Sequence, residues 1–98
     1  MGKAKLIRWR KWTDGRGNLY EIVVWQVEPN RRYTDGVRYR LAFIRRGEER
    51  PALLYDNHHP KGHHRHILSR ETQYDFPSVE QLVADFMAGA EALEGGEK

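Results

Sequence analysis

The first half of the chain reads as successive strands, segments whose apolar residues fall on one or both faces of a period-two pattern in which side chains point alternately to opposite sides. Lys5 to Thr13 is rich in Trp and Ile, and Asp14-Gly-Arg-Gly-Asn18 follows with the glycine and asparagine that a tight reversal needs. These two segments predict the start of a hairpin. Residues 19–28 carry the strongest signal, with Tyr20, Ile22 and Val24 on one face and Val23, Trp25 and Val27 on the other, as expected of a central strand. Pro29-Asn30 and Asp35-Gly36 bracket a polar connection, after which Val37, Tyr39, Leu41 and Phe43 alternate with Arg38, Arg40 and Ala42. That strand has one core face and one basic face. Gly47-Glu48-Glu49 predicts another turn and residues 51–56 a short strand, since a leading proline is tolerated at a strand start. A loop then leaves at Asp56 and re-enters extended structure near His64.

From Pro77 the period changes. Val79, Leu82, Val83, Phe86, Ala90 and Leu93 recur at three-to-four-residue spacing on one helical face, and Ser78 with Gln81 three residues on forms a capping box. The helical stripe has to bury against the apolar side of the sheet. The expected architecture is therefore α+β, an antiparallel sheet of four or five strands with the C-terminal helix packed on one face. Residues 1–93 form a single domain and residues 94–98 a frayed tail.

Composition narrows the chemistry. With 98 residues there is room for one core. Without cysteine there is no disulfide, thiolate nucleophile or thiolate metal site, so any reactive or ligating group is nitrogen or oxygen. No apolar run approaches the roughly 20 residues that cross a bilayer, and Met1-Gly-Lys-Ala-Lys5 lacks the apolar core of a secretion signal. The expected location is the cytoplasm. Residues 1–50 hold 13 Lys or Arg against 6 Asp or Glu, and residues 51–98 hold 4 against 8, a split of +7 and −4. A basic half favours an anionic partner such as nucleic acid, although two oppositely charged solvated faces give the same balance.

The chemistry concentrates in Tyr55-Asp-Asn-His-His-Pro-Lys-Gly-His-His-Arg-His66, which places five histidines within nine positions. One reading is RNA cleavage without metal, which needs a base, an acid and a cation. Histidine suits both proton roles because imidazole titrates near neutrality, and Lys61 or Arg65 can stabilise charge building on a phosphate. A second reading is metal ligation, because His64 and His66 on an extended segment project to one side about 7 Å apart, with Asp56, His58 or His59 as a third ligand. A third reading assigns the histidines to a solvated turn in which they bond backbone groups. Register decides access. If Ile67 points inward, His64 and His66 face outward; if Leu68 does, they share the core side.

Arg38 and Arg40 share one face of a strand, with Arg31, Arg32, Arg45 and Arg46 at its ends, a surface along which a phosphate backbone can lie. Outward arginines also serve simply to keep a sheet soluble. Trp9, Trp12, Trp25 and the tyrosines can stack bases, but no sequence pattern of an RNA-binding module accompanies them, so most are assigned to the core.

At the histidine segment the chain resembles the TumE family, proposed toxin components of prokaryotic toxin–antitoxin pairs. The resemblance rests on the basic β-rich half, Tyr55-Asp-Asn-His58, Gly62-His-His-Arg-His66 and a C-terminal helix beginning near Pro77-Ser-Val-Glu-Gln81. It implies a cognate antitoxin, commonly a small DNA-binding protein, and carries Asp56, Asn57, His58, Gly62, His63, His64 and His66 into a shared site. The resulting expectation is a toxin acting on RNA, with His64 and His66 as acid and base, His63 or His58 in support, Asp56 beside them and Arg65 as phosphate clamp. Arg38, Arg40, Arg45, Arg46 and Lys61 would contact nucleic acid. No cofactor and no metal is assigned, and a homodimer is left open. The alternative is a non-catalytic nucleic-acid-binding or partner-binding module that works through the basic sheet face.

Overall fold

The computed structural model describes residues 4–95. Its elements are β1 Lys5–Thr13, β2 Leu19–Gln26, β3 Val37–Ile44, β4 Leu53–Asp56, β5 His64–Ile67, β6 Arg70–Gln73 and α1 Val79–Gly95. The six strands form one antiparallel sheet in the order β1-β2-β3-β4-β5-β6, so each strand pairs with its sequence neighbour. The architecture is the expected α+β sheet and helix, with six strands in place of four or five. The additional strand, β6, pairs with β5 across Leu68-Ser69, a two-residue turn in which Leu68 takes a φ of 55°. Such a turn normally carries glycine at that position, and Arg-Glu-Thr-Gln shows no apolar alternation. Neither signal that announces a hairpin is present there.

The first reversal closes because the Asp14 carboxylate accepts the amides of Arg16 and Asn18 at 2.9 and 3.0 Å, while Gly17 adopts a φ of 90°. Burial raises the Asp14 pKa, but these amides and the Asn18 side chain outweigh it and hold the carboxyl below its usual range. Asn18 itself is buried. Its amide nitrogen donates to Asp14 and Glu94, and its oxygen accepts the Arg46 amide at 2.9 Å, so one side chain joins two turns to the helix.

One side of the sheet packs against α1. Tyr20, Ile22, Val24, Tyr39, Leu41, Phe43, Leu53 and Tyr55 form the core with Leu82, Phe86 and Ala90 of the helix. The helix lies close against β4 at Gly89, where an added Cβ would lie 2.9 Å from Leu53 Cδ2. Ser78 Oγ accepts the Gln81 amide at 3.0 Å, while the Gln81 side chain turns to Asp85. Only half of the predicted capping box is therefore made. The helix continues through Glu94, which bonds Arg16 at 2.6 Å, and the rest of the expected frayed tail, residues 96–98, lies outside the described residues. No helix among the described residues is long and apolar enough to cross a membrane.

Candidate functional site

Paired residues on neighbouring strands share a face, so the register reads directly across the side of the sheet turned away from α1. One row runs Trp9, Val23, Arg40, Asp56, His64 and Gln73. The next runs Lys11, Glu21, Ala42, Leu54, His66 and Glu71. Ile67 packs against the core, which turns His64 and His66 to this outer face by alternation. Of the two registers open to the sequence, the structure has the one that frees the histidine pair from the core side.

The two rings meet edge to face, with centroids 5.1 Å apart. His64 is 7% exposed and His66 is half-buried. The Nδ1 of His64 lies 2.8 Å from the Gly62 carbonyl, which can only accept, so that nitrogen carries a proton and the lone pair of the neutral ring is on Nε2. Across the strand pair, the Glu71 carboxylate lies 4.0 Å from His66 Nε2. Lys61 holds the same carboxylate at 3.0 Å, and its hydrogen bond keeps the Glu71 pKa below the usual range. His64, His66 and Glu71 each bring one potential ligand atom within 4.8 Å of the others. The sequence pointed to Asp56, His58 or His59 as a third ligand. Glu71 escaped notice because β6 did.

Beside the pair, a cavity of about 280 Å³ opens on the outer face, lined by Glu21, Trp25, Arg38, Arg40, Asp56 and His58. Arg40 bonds Glu21 at 3.2 Å, and the Asp56 carboxylate accepts the His58 amide at 2.6 Å. Arg38, Arg40, Asp56, His58, His64 and His66 thus gather on one surface.

The other expected residues lie elsewhere. Arg65 is a correction: alternation along β5 sends it to the helix side, where its guanidinium sits 5.9 Å from the Tyr55 ring and its Nε is buried without a hydrogen-bond partner. By the strand's own period it shares no face with His64 and His66. His63 precedes β5 and is built into the fold. Its ring stacks on Phe76 at 4.9 Å, its Nε2 lies 2.7 Å from Asp35 and its Nδ1 is 2.9 Å from the Tyr39 hydroxyl. Burial, and then the nearby Tyr74 hydroxyl, push the Tyr39 pKa up, so the hydroxyl stays protonated and donates to His63. Arg45 and Arg46 lie at and beyond the far end of β3, at the turn to β4; Arg45 pairs with Glu48 at 3.3 Å and the Arg46 side chain lies over Gly17.

Asn57 plays a structural part. It is 3% exposed, its oxygen accepts the Tyr39 amide at 2.9 Å, and its nitrogen donates to the Val37 carbonyl at 2.8 Å. The side chain continues the β3–β4 ladder past the end of β4 and fixes where the histidine loop departs.

Fold and site together define a small α+β protein whose helix covers one sheet face and whose other face gathers arginine, histidine and carboxylate. The chain matches the family model described as Toxin TumE over residues 7–94 and belongs to that family, which makes it a toxin. A toxin of this kind implies an antitoxin partner. No curated protein and no solved structure matches it.

Proposed function

We propose that this toxin stops growth by cutting RNA on the outer face of its sheet, without a metal, as the toxin of a type II pair. The observation that carries the reading is the cross-strand row Arg40, Asp56, His64 with the His66 ring 5.1 Å from His64. Two strand spacings, about 10 Å, separate the Arg40 and His64 backbones, a gap that the two side chains can span from either side of one phosphodiester. One imidazole takes the proton of the ribose 2′-hydroxyl, whose oxygen attacks phosphorus and closes a 2′,3′-cyclic phosphate. The other gives a proton to the departing 5′-oxygen. Arg40, with Arg38 beside the cavity, stabilises the charge that builds on the phosphate, the role sequence reasoning gave to Arg65. Asp56 and His58 line the approach.

The experiment is expression in cells without the antitoxin. Alanine at both His64 and His66 is expected to abolish growth arrest together with RNA cleavage; arrest and cleavage that persist in the double variant sink the proposal. Co-expression of a small DNA-binding protein encoded beside the toxin gene is expected to restore growth.

A second reading draws on Trp9, which is 59% exposed on the same face as Trp25, Arg38 and Arg40. Aromatic rings among cations suit stacked bases held without cleavage. On that reading Arg38→Ala and Arg40→Ala weaken RNA binding and toxicity, and the histidine variants change neither.

A further inference from the structure

We propose that His64, His66 and Glu71 form a binding site for a divalent transition-metal ion with the preferences of zinc. His64 and His66 stand two apart on β5, and their rings converge to 5.1 Å on the outer face. The register pairs His66 with Glu71 of β6, which sets a carboxylate opposite the second ring, and the three donor atoms lie within 4.8 Å of one another. A tetrahedral ion with bonds of about 2.1 Å requires donors about 3.4 Å apart. The difference is within reach of small rotations of His66 and Glu71, which are half-buried and exposed on a short edge hairpin.

An independent feature prepares the site. The Gly62 carbonyl, 2.8 Å from His64 Nδ1, fixes the tautomer and turns the unprotonated Nε2 outward, the arrangement in which metal-bound imidazoles are held by a backbone acceptor on the other nitrogen. Lys61 contacts Glu71 at 3.0 Å and neutralises its carboxylate until an ion displaces the ammonium. Two imidazole nitrogens and one carboxylate suit zinc, cobalt or nickel, whereas calcium and magnesium favour all-oxygen shells. Three protein donors leave a fourth position to water. Resting on the RNA-cleaving reading, one consequence follows for activity: an ion bound to both ring nitrogens removes them from proton transfer, so zinc inhibits the toxin.

The test is calorimetric titration of zinc chloride into the tag-free full-length protein in a buffer that does not chelate. One ion per chain is expected. Glu71→Gln, on an exposed edge strand where folding is least at risk, should weaken binding at least roughly 10-fold, and His66→Ala by 100-fold or more, since even outer partners of a metal site are worth about 10- to 100-fold. Lys61→Gln should tighten it, and alanine at both His58 and His59 should leave it unchanged. No zinc uptake, or uptake that survives both Glu71→Gln and His66→Ala, overturns the site. RNA cleavage measured in parallel separates the two proposals. Cleavage in EDTA without zinc binding removes the metal site alone, and zinc binding with cleavage that depends on zinc removes the metal-free reaction alone.

Discussion

Asn57 acts on the site from inside the fold. Its amide satisfies a donor and an acceptor on β3 that would otherwise be buried without partners. Asn57→Ala leaves both unpaired and is expected to cost about 2–4 kcal/mol, read from the urea midpoint at unchanged m-value. Leu68 is the reverse case. It holds a φ of 55° while its side chain is 55% exposed, so a left-handed conformation is imposed on a residue that gains little burial from it. Leu68→Gly is expected to stabilise the protein by about 0.5–1 kcal/mol, the relief of strain being offset in part by glycine's greater unfolded freedom. Buried hydroxyls set the alkaline limit. Burial, and then the Asp14 carboxylate, push Tyr20 up to about 12; burial and the Asp85 carboxylate, 2.6 Å away, raise Tyr74. The folded protein keeps protons that the unfolded chain, with tyrosines near pH 10, releases. Stability is therefore complete below pH 10 and declines as the pH rises from 10 to 12. A thermal melt series across that window should show the decline, and Tyr74→Phe should lessen it.

At the scale of elements, the sequence was legible where two signals coincided. Alternation with Gly or Asn turns located β2 to β4, and the helical period located α1, because there the side chains that make the pattern also make the core; β1 was located by its Trp and Ile content and by the Gly-Asn reversal that follows it. Phe86 shows the dependence: fully buried, it meets Tyr20 and Tyr55 edge to face, and Phe86→Ala is expected to cost about 3–5 kcal/mol in a denaturation experiment. Much of a small domain's stability would go with it. β6 was not legible. Its four residues are all exposed and its turn lacks glycine and asparagine, so the strand forms by pairing with β5 and not through a pattern of its own. With β6 hidden, Glu71 was hidden also. Most of the aromatic rings join or pack against the core, as assigned; Trp9 does not, because β1 is an edge strand exposed along almost its whole length, where Trp12 stacks on Tyr20 and Trp9 stands in solvent.

For the whole molecule, the sheet divides the work between its two faces. The helix side spends the apolar residues on a core, and the open side is left to Arg38, Arg40, Asp56, His58, His64 and His66. The location of the histidine segment was readable because five histidines cluster in sequence. Which residues share their face was not, because Arg40 and Glu71 are brought to that face only through strand register, over separations of 24 and 5 residues. Arg65, nearest in sequence, is on the wrong face. The account is tested most directly by the ends of the RNA fragments that the purified toxin makes in EDTA. Proton transfer by His64 and His66 predicts 2′,3′-cyclic phosphate and 5′-hydroxyl ends, with the rate falling by about 10²- to 10⁴-fold in His66→Ala. Fragments ending in 3′-hydroxyl and 5′-phosphate, or an undiminished rate in that variant, would contradict it.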